Sequence, residues 1–186
     1  QVYFIDNNEY FGRKAGVTDA VGDYFIDNEE RMVFFNRGVL ETVKKLGFAP
    51  DIVHLQGWFT GPFALYVKKS MKDNPLFADS KVILSLYDDD FPNPLRSDLE
   101  RKVMFDHIEK DDIKWYMDPT YVNIMKQALD YSDGIIVGSE RVNPEVLKYA
   151  RKTGKPMLDY ISMDEDYIDA YSEFYDTVMC ESSTLA

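Results

Sequence analysis

Scarcities come first in this 186-residue sequence: one cysteine, two histidines and no long apolar run. Cys180 alone leaves no internal disulfide framework and fits a reducing compartment, so a cytoplasmic location is expected. His54, His107 and Cys180 are scattered, which excludes zinc-ligand spacing, and no metal site is expected. No apolar stretch approaches the ~18 residues a membrane span needs. Neither GxGxxG nor GxxxxGK[ST] occurs, and no serine elbow is present, so a glycine-rich phosphate loop and a hydrolase nucleophile are both missing. Cationic charge is short: 21 Lys and Arg against 33 Asp and Glu give a net charge of −12, which argues against nucleic acid or an anionic membrane as partner. The sequence opens on Gln1 and is strand-like from its second residue, so the expectation is a chain lacking its natural start, from which a signal peptide cannot be judged.

What is present suits one packed domain. Hydrophobic residues make up 45% and aromatic residues 15%, and the length allows a single core. The acidity gathers in Asp88-Asp89-Asp90, in residues 106–112 and in residues 159–176, as expected of solvated faces. Short β-rich runs alternate with longer helical ones. Residues 2–5 read as a strand, and so do 52–55, 81–87, 134–139 and 155–160. Met32, Phe35, Val39, Val43 and Leu46 recur at helical spacing, with Asp27 and Glu30 as a capping box and Gly47 as the stop. Further helices are predicted over 60–71, 97–110 and 119–131, and from Asn143-Pro144 to Gly154. Tyr167, Tyr171, Phe174, Tyr175 and Val178 line one face of a last helix, predicted to pack back on the domain. This alternation implies a Rossmann-like α/β fold, a parallel sheet with helices on both faces. The segment YFIDN occurs at 3–7 and again at 24–28, once as strand-into-loop and once as loop-into-helix, without any longer repeat.

Open parallel sheets bind ligands beyond the carboxyl ends of their strands. The three ends that matter are residues 54–60, 85–91 and 138–141. His54 can hydrogen-bond a sugar hydroxyl or phosphate, or be a core histidine satisfied internally. Trp58 can stack on a sugar ring or fill the sheet–helix junction, and Thr60 sits where N-capping alone would explain it. Asp88-Asp89-Asp90 has the composition of a hard-cation cluster, but consecutive residues after a strand diverge, so a charged turn is expected.

These pieces occur in a familiar order. PDIVHLQGWFTGPFALYVKK, at 50–69, resembles the PDxVHxHDWHTxLxPxYL element of bacterial glycogen and plant starch synthases, glycosyltransferase family 5. FIDNNEYFGR resembles that family's FIDxPEYFxR, and DNEERMVFFNRGVLE its DNxxRFxxFxxAxLE. KVILSLYDDDF stands in the place of KxVFTIHNLAY, and IMKQALDYSDGIIVGSE in that of xLKAGIxYADxITTVSP. His54, Trp58 and Thr60 agree with the motif. Gly57 stands where the family has Asp, Phe59 where it has His or Gln, Tyr87 where it has the His of IHN, and Asp88 where it has the following Asn.

The resemblance implies the amino-terminal, acceptor-side domain of a GT-B glycosyltransferase, over residues 1–163, with a returning helix at 164–180 and a tail at 181–186. It implies transfer of glucose from ADP-glucose to an α-1,4-glucan with retention, without cofactor or metal. His54, Trp58, Thr60, Tyr87 and Ser139 are the implied substrate-binding positions, and no catalytic residue is singled out. The family's first strand with its Lys-x-Gly-Gly-Leu loop and its second, nucleotide-binding domain have no counterpart in this sequence. A separate carboxy-terminal GT-B domain or self-association is therefore an expected partnership. A non-catalytic glucan-binding or regulatory subunit of the same fold stands as the alternative, and an unrelated Rossmann-like enzyme using another sugar nucleotide as the third reading.

Overall fold

The computed structural model describes residues 2–13, 15–162 and 166–180. Four parallel strands form one sheet: β1 (Ile52–Gln56), β2 (Lys81–Leu86), β3 (Gly134–Val137) and β4 (Met157–Leu158), in the order β1-β2-β3-β4. His54 pairs with Ile83, Leu84 with Ile135, and Ile136 with Leu158. The helices are α1 (Asn8–Phe11), α2 (Asn28–Leu46), α3 (Pro62–Leu65), α4 (Leu99–Val103), α5 (Tyr121–Asp130), α6 (Pro144–Lys152) and α7 (Tyr167–Cys180). No helix among the described residues is long and apolar enough to cross a membrane.

Strand order explains how the two faces are covered. Each step from β1 to β4 moves the same way, and right-handed crossovers then place every connecting helix on one side. Leu55, Val82, Leu84, Leu86, Ile135 and Val137 turn to that side and join Phe63, Ile124, Met125, Val146 and Ala150 from the helices. Ile83 and Ile136 turn the other way, and Phe174 and Val178 of α7 bury them in a separate small cluster. Gly134 makes this approach possible: a β-carbon there would lie 2.7 Å from Val178 Cγ2 and 3.2 Å from Phe174 Cζ.

Several sequence expectations change. Residues 2–5 form no strand among the described residues; Val2 and Phe4 are exposed, while Ile5 rests against Gly38 of α2. The capping box at Asp27 does not form. Asp27 instead makes a bidentate pair with Arg13 at 2.7 and 2.5 Å, and Glu30 binds Lys102 at 2.6 Å. Buried Arg31 completes this junction, donating to Tyr10 O, Gly16 O and Asn28 Oδ1 and tying the first loop to α2. The predicted helix at 60–71 is a 3-10 turn (Trp58–Thr60), α3 and a π-helical turn (Tyr66–Ser70) in succession. That at 97–110 shrinks to α4, because Met104 leaves helical geometry, and an unforeseen 3-10 segment follows at Lys110–Met117. The last strand is only Met157–Leu158. Residues 163–165 and the expected tail at 181–186 lie outside the described residues.

The α2–α4 junction encloses a charge. Glu29 is fully buried, and its Oε1 accepts Lys102 Nζ at 2.8 Å, while Oε2 has no hydrogen-bond partner. Burial alone would lower the Lys102 pKa, but Glu29, Glu30 and Asp98 together push it up to about 12.

Candidate functional site

Beyond the carboxyl end of β1 the chain turns sharply at Gly57, where φ is 69° and ψ −178°. That conformation is essentially reserved for glycine. A side chain there would also overlap Asp89 Oδ2. The carboxylate of Asp89 thus fills the space beside Gly57. It accepts the backbone N–H of Trp58 at 3.2 Å and the hydroxyl of Tyr121 at 2.8 Å, joining the ends of β1 and β2 to the start of α5. Burial raises the Asp89 pKa above the ordinary carboxylate value, against the lowering effect of these two bonds. Tyr121 is driven far up by burial and by that carboxylate.

The neighbouring carboxylates go elsewhere. Asp88 accepts from Ser139 Oγ at 3.2 Å and pairs with Arg141 at 3.1 Å, reaching the loop after β3. Asp90 accepts Asn143 Nδ2 at 2.6 Å, and its carbonyl accepts the Tyr24 hydroxyl at 3.0 Å. Three consecutive acids therefore bind three different elements. Among the described residues no group of three or more potential metal ligands converges.

Of the residues singled out in the sequence, His54 lies in mid-strand rather than at the strand's end. Its Nε2 is 2.7 Å from Ser85 Oγ and its Nδ1 2.9 Å from the Tyr175 hydroxyl on α7. Both ring nitrogens are occupied, and burial lowers its pKa. Trp58 is 3% exposed and packs edge-on against Phe91 at 4.9 Å, so its indole fills the junction and offers no face for a sugar. Thr60 Oγ1 donates back to Gln56 O and Gly57 O, which closes the turn rather than capping a helix. Tyr87 is partly exposed, its ring lying against Gly138, and Ser139 sits beside it at the rim. Tyr87 and Ser139 therefore share the sheet's carboxyl edge, while His54 faces α7 and Trp58 the core.

A recess of about 430 Å³ lies between residues 22–26 and 91–96. Its walls are Tyr24, Phe25, Phe91, Pro92 and Pro94, with Asp23, Asn93 and Arg96 among the polar groups. Rings of Tyr24 and Phe91 stand 6.2 Å apart. Sequence reasoning missed this pairing of loops. The prolines at 92 and 94 and the second YFIDN gave the loops, but nothing in their spacing showed that they meet. Asp89 was visible only as one of three acids, and Tyr121 carried no signal at all.

Comparison with known proteins places these features in a lineage. Residues 1–160 match the family described as starch synthase catalytic domain. The chain is 41% identical over 86 residues to a glycogen synthase of Elusimicrobium minutum, covering 46% of this chain and 18% of that protein. A glycogen synthase of Geotalea daltonii is 33% identical over 150 residues, 78% of this chain and 30% of the relative. One of Desulforamulus reducens is 28% identical over 148 residues, 77% and 29% respectively. The chain thus spans less than a third of the length of these relatives. In three dimensions it is similar to the catalytic domain of starch synthase IV from Arabidopsis thaliana bound to ADP and acarbose, with a TM-score of 0.56 and 14% identity. That match covers 73% of this chain and 30% of the other, and it shows the shared fold.

Proposed function

We propose, from the premise that this chain belongs to the starch and glycogen synthase family, that it serves as the acceptor-side half of a glucosyltransferase cleft and holds an α-glucan at the carboxyl rim of its sheet. The observation that carries this reading is the recess between residues 22–26 and 91–96. Partly exposed Tyr24 and the exposed Pro92 and Pro94 offer apolar faces for sugar C–H groups, while Asn93 and Asp23 offer partners for hydroxyls. The reaction would be retaining transfer of glucose from ADP-glucose. A fold relative bound to ADP and acarbose supports the two ligand classes. Such transfer needs both substrates held in a closed, water-poor cleft, so turnover depends on a second GT-B domain.

Residues 1–163 form the sugar-binding unit in this reading, and the helix within 164–180 is part of it. A cytoplasmic site of action fits the single, exposed Cys180. The second reading, a glucan-binding or regulatory subunit without turnover, is favoured by His54, whose two nitrogens are already engaged within the fold. Incorporation of labelled glucose from ADP-glucose into glycogen separates the two. Transfer above blank supports the enzyme. Retention on a glycogen affinity gel without transfer supports the subunit, and passage through the gel without transfer removes both.

A further inference from the structure

One carboxylate stands in another residue's place. The family motifs PDxVHxHDWHT and KxVFTIHNLAY carry Asp at position 57 and Leu at position 89, whereas this chain carries Gly57 and Asp89. Asp is a preferred helix N-cap, because its side chain accepts N–H groups of the first turn. Gly57 holds the N-cap place of the 3-10 turn Trp58–Thr60 and brings no side chain to it. The Asp89 carboxylate supplies what is missing. Its Oδ2 overlaps the space a β-carbon at Gly57 would take and accepts the Trp58 N–H at 3.2 Å. A cap from position 57 would tie this turn only to itself; a cap from Asp89 ties it to the loop after β2.

That loop carries Tyr87 at the rim and Phe91 in the recess wall. Residues 87–94 form no helix or strand, so ties of this kind set the loop's course. Of the three consecutive acids, Asp88 and Asp90 are exposed and Asp89 is partly buried. Trp58 and Tyr121 grip the loop twice. They bond the Asp89 carboxylate at 3.2 and 2.8 Å, and their rings stand edge-on to Phe91 at 4.9 and 5.5 Å. The Tyr121 hydroxyl also lies 3.3 Å from the Tyr87 carbonyl oxygen.

We infer that Asp89 is a positioning residue: its carboxylate caps the turn after β1 from the loop after β2, and so fixes Tyr87 and Phe91 for an incoming glucan. It acts through Trp58 and Tyr121 rather than by touching the sugar. The inference rests on the glucan reading above.

Calorimetric titration of the whole chain with maltoheptaose, together with amide NMR spectra, tests it. Asp89→Leu installs the residue of the family motif and removes both bonds, while Asp89→Asn keeps an oxygen acceptor of the same size. Nitrogen-15 labelling of tryptophan gives two backbone amide signals, from Trp58 and Trp115. In Asp89→Leu the Trp58 signal is expected to move and maltoheptaose affinity to fall about tenfold, whereas Asp89→Asn should bind within about twofold of wild type. Phe174→Ala separates positioning from stability: it weakens α7 on the far face, and its folded chains should also bind within about twofold of wild type. Tyr121→Phe removes only the second bond and should lower affinity about threefold; it serves in place of Asp89→Leu should that variant fail to fold by circular dichroism. An unmoved Trp58 signal in Asp89→Leu overturns the inference, as does a moved signal with unchanged affinity. A loss in Asp89→Asn or Phe174→Ala equal to that in Asp89→Leu overturns it as well. A wild type that binds no maltoheptaose removes the glucan reading. Amide signals of residues 87–91 then decide the positioning role: shifts there in Asp89→Leu support it, and shifts confined to Trp58 overturn it.

Discussion

The hydroxyl of Tyr175 stands 2.9 Å from Nδ1 of His54, linking residues 121 positions apart. With Ser85 on the opposite nitrogen at 2.7 Å, the imidazole is bonded at both ends between α7 and β2. Whichever nitrogen carries the proton, the other accepts from a hydroxyl, so the neutral ring is fully satisfied.

His54 therefore titrates below the usual 6.5, because burial disfavours its charged form. As pH falls from 6.5, the unfolded chain takes up this proton before the folded one does. Its contribution to stability is complete above about pH 6.5 and is lost as pH falls through the folded-state value. With only two histidines in the chain, proton NMR resolves the pair directly. His54 should show a midpoint below 6.5. Urea midpoints should fall on acidification in wild type and fall less in His54→Gln.

Asp89 has the opposite sign. Its folded pKa is raised above 3.8, so near that value the native chain keeps a proton that the unfolded chain releases. Relative to Asp89→Asn, wild type should be most stable below pH 3.8 and lose that advantage as pH rises through the folded-state value. At neutral pH Tyr121→Phe should cost about 1–2 kcal/mol, by removing the hydroxyl bonded to Asp89. In a double-mutant cycle with Asp89→Ala the two losses should add to more than the loss in the double variant.

Gly134 admits α7 to the sheet. Gly134→Ala should cost about 1–3 kcal/mol, since the new methyl meets Val178 and Phe174. Phe174→Ala should cost about 3–5 kcal/mol by emptying the small cluster over Ile83 and Ile136. Chemical denaturation measures both, and amide exchange should quicken in α7 first.

Lys102→Met should cost roughly 2–4 kcal/mol, because it leaves the buried Glu29 carboxylate without its closest cation. Adding Glu29→Gln to the same chain should restore part of the loss in urea titrations. An equal loss in the double variant would show that packing of the lysine stem, not charge, sets the effect.

The regular parts of the fold were readable because their residue patterns are local. β3 carries an uninterrupted apolar run, β1 and β2 carry largely apolar ones, and α2 and α5 carry helical periodicity; each depends on neighbours within a few residues. The misread parts depend on distant ones. Asp27 and Glu30 have the spacing of a capping box, but Arg13 and Lys102 offer charged partners that outcompete a backbone N–H. Residues 2–5 have a strand's composition, but no described strand lies alongside to complete the ladder. At the candidate site Tyr87 and Ser139 fell on strand ends, as parallel-sheet logic requires. His54 was misplaced because strand residues alternate faces, and the sequence gives no sign of which layer each face meets.

The strand order has a kinetic consequence. With all connecting helices on one face, the sheet and that layer consolidate through crossovers of moderate length, before α7 has anything to dock on. Helix α7 then closes the far side through contacts spanning more than a hundred residues, such as Tyr175 to His54. Its interactions are expected to form after the rate-limiting barrier, so Phe174→Ala should accelerate unfolding and leave the refolding rate nearly unchanged in stopped-flow measurements. On that expectation the last helix sets how long the folded chain survives, not how fast it is made.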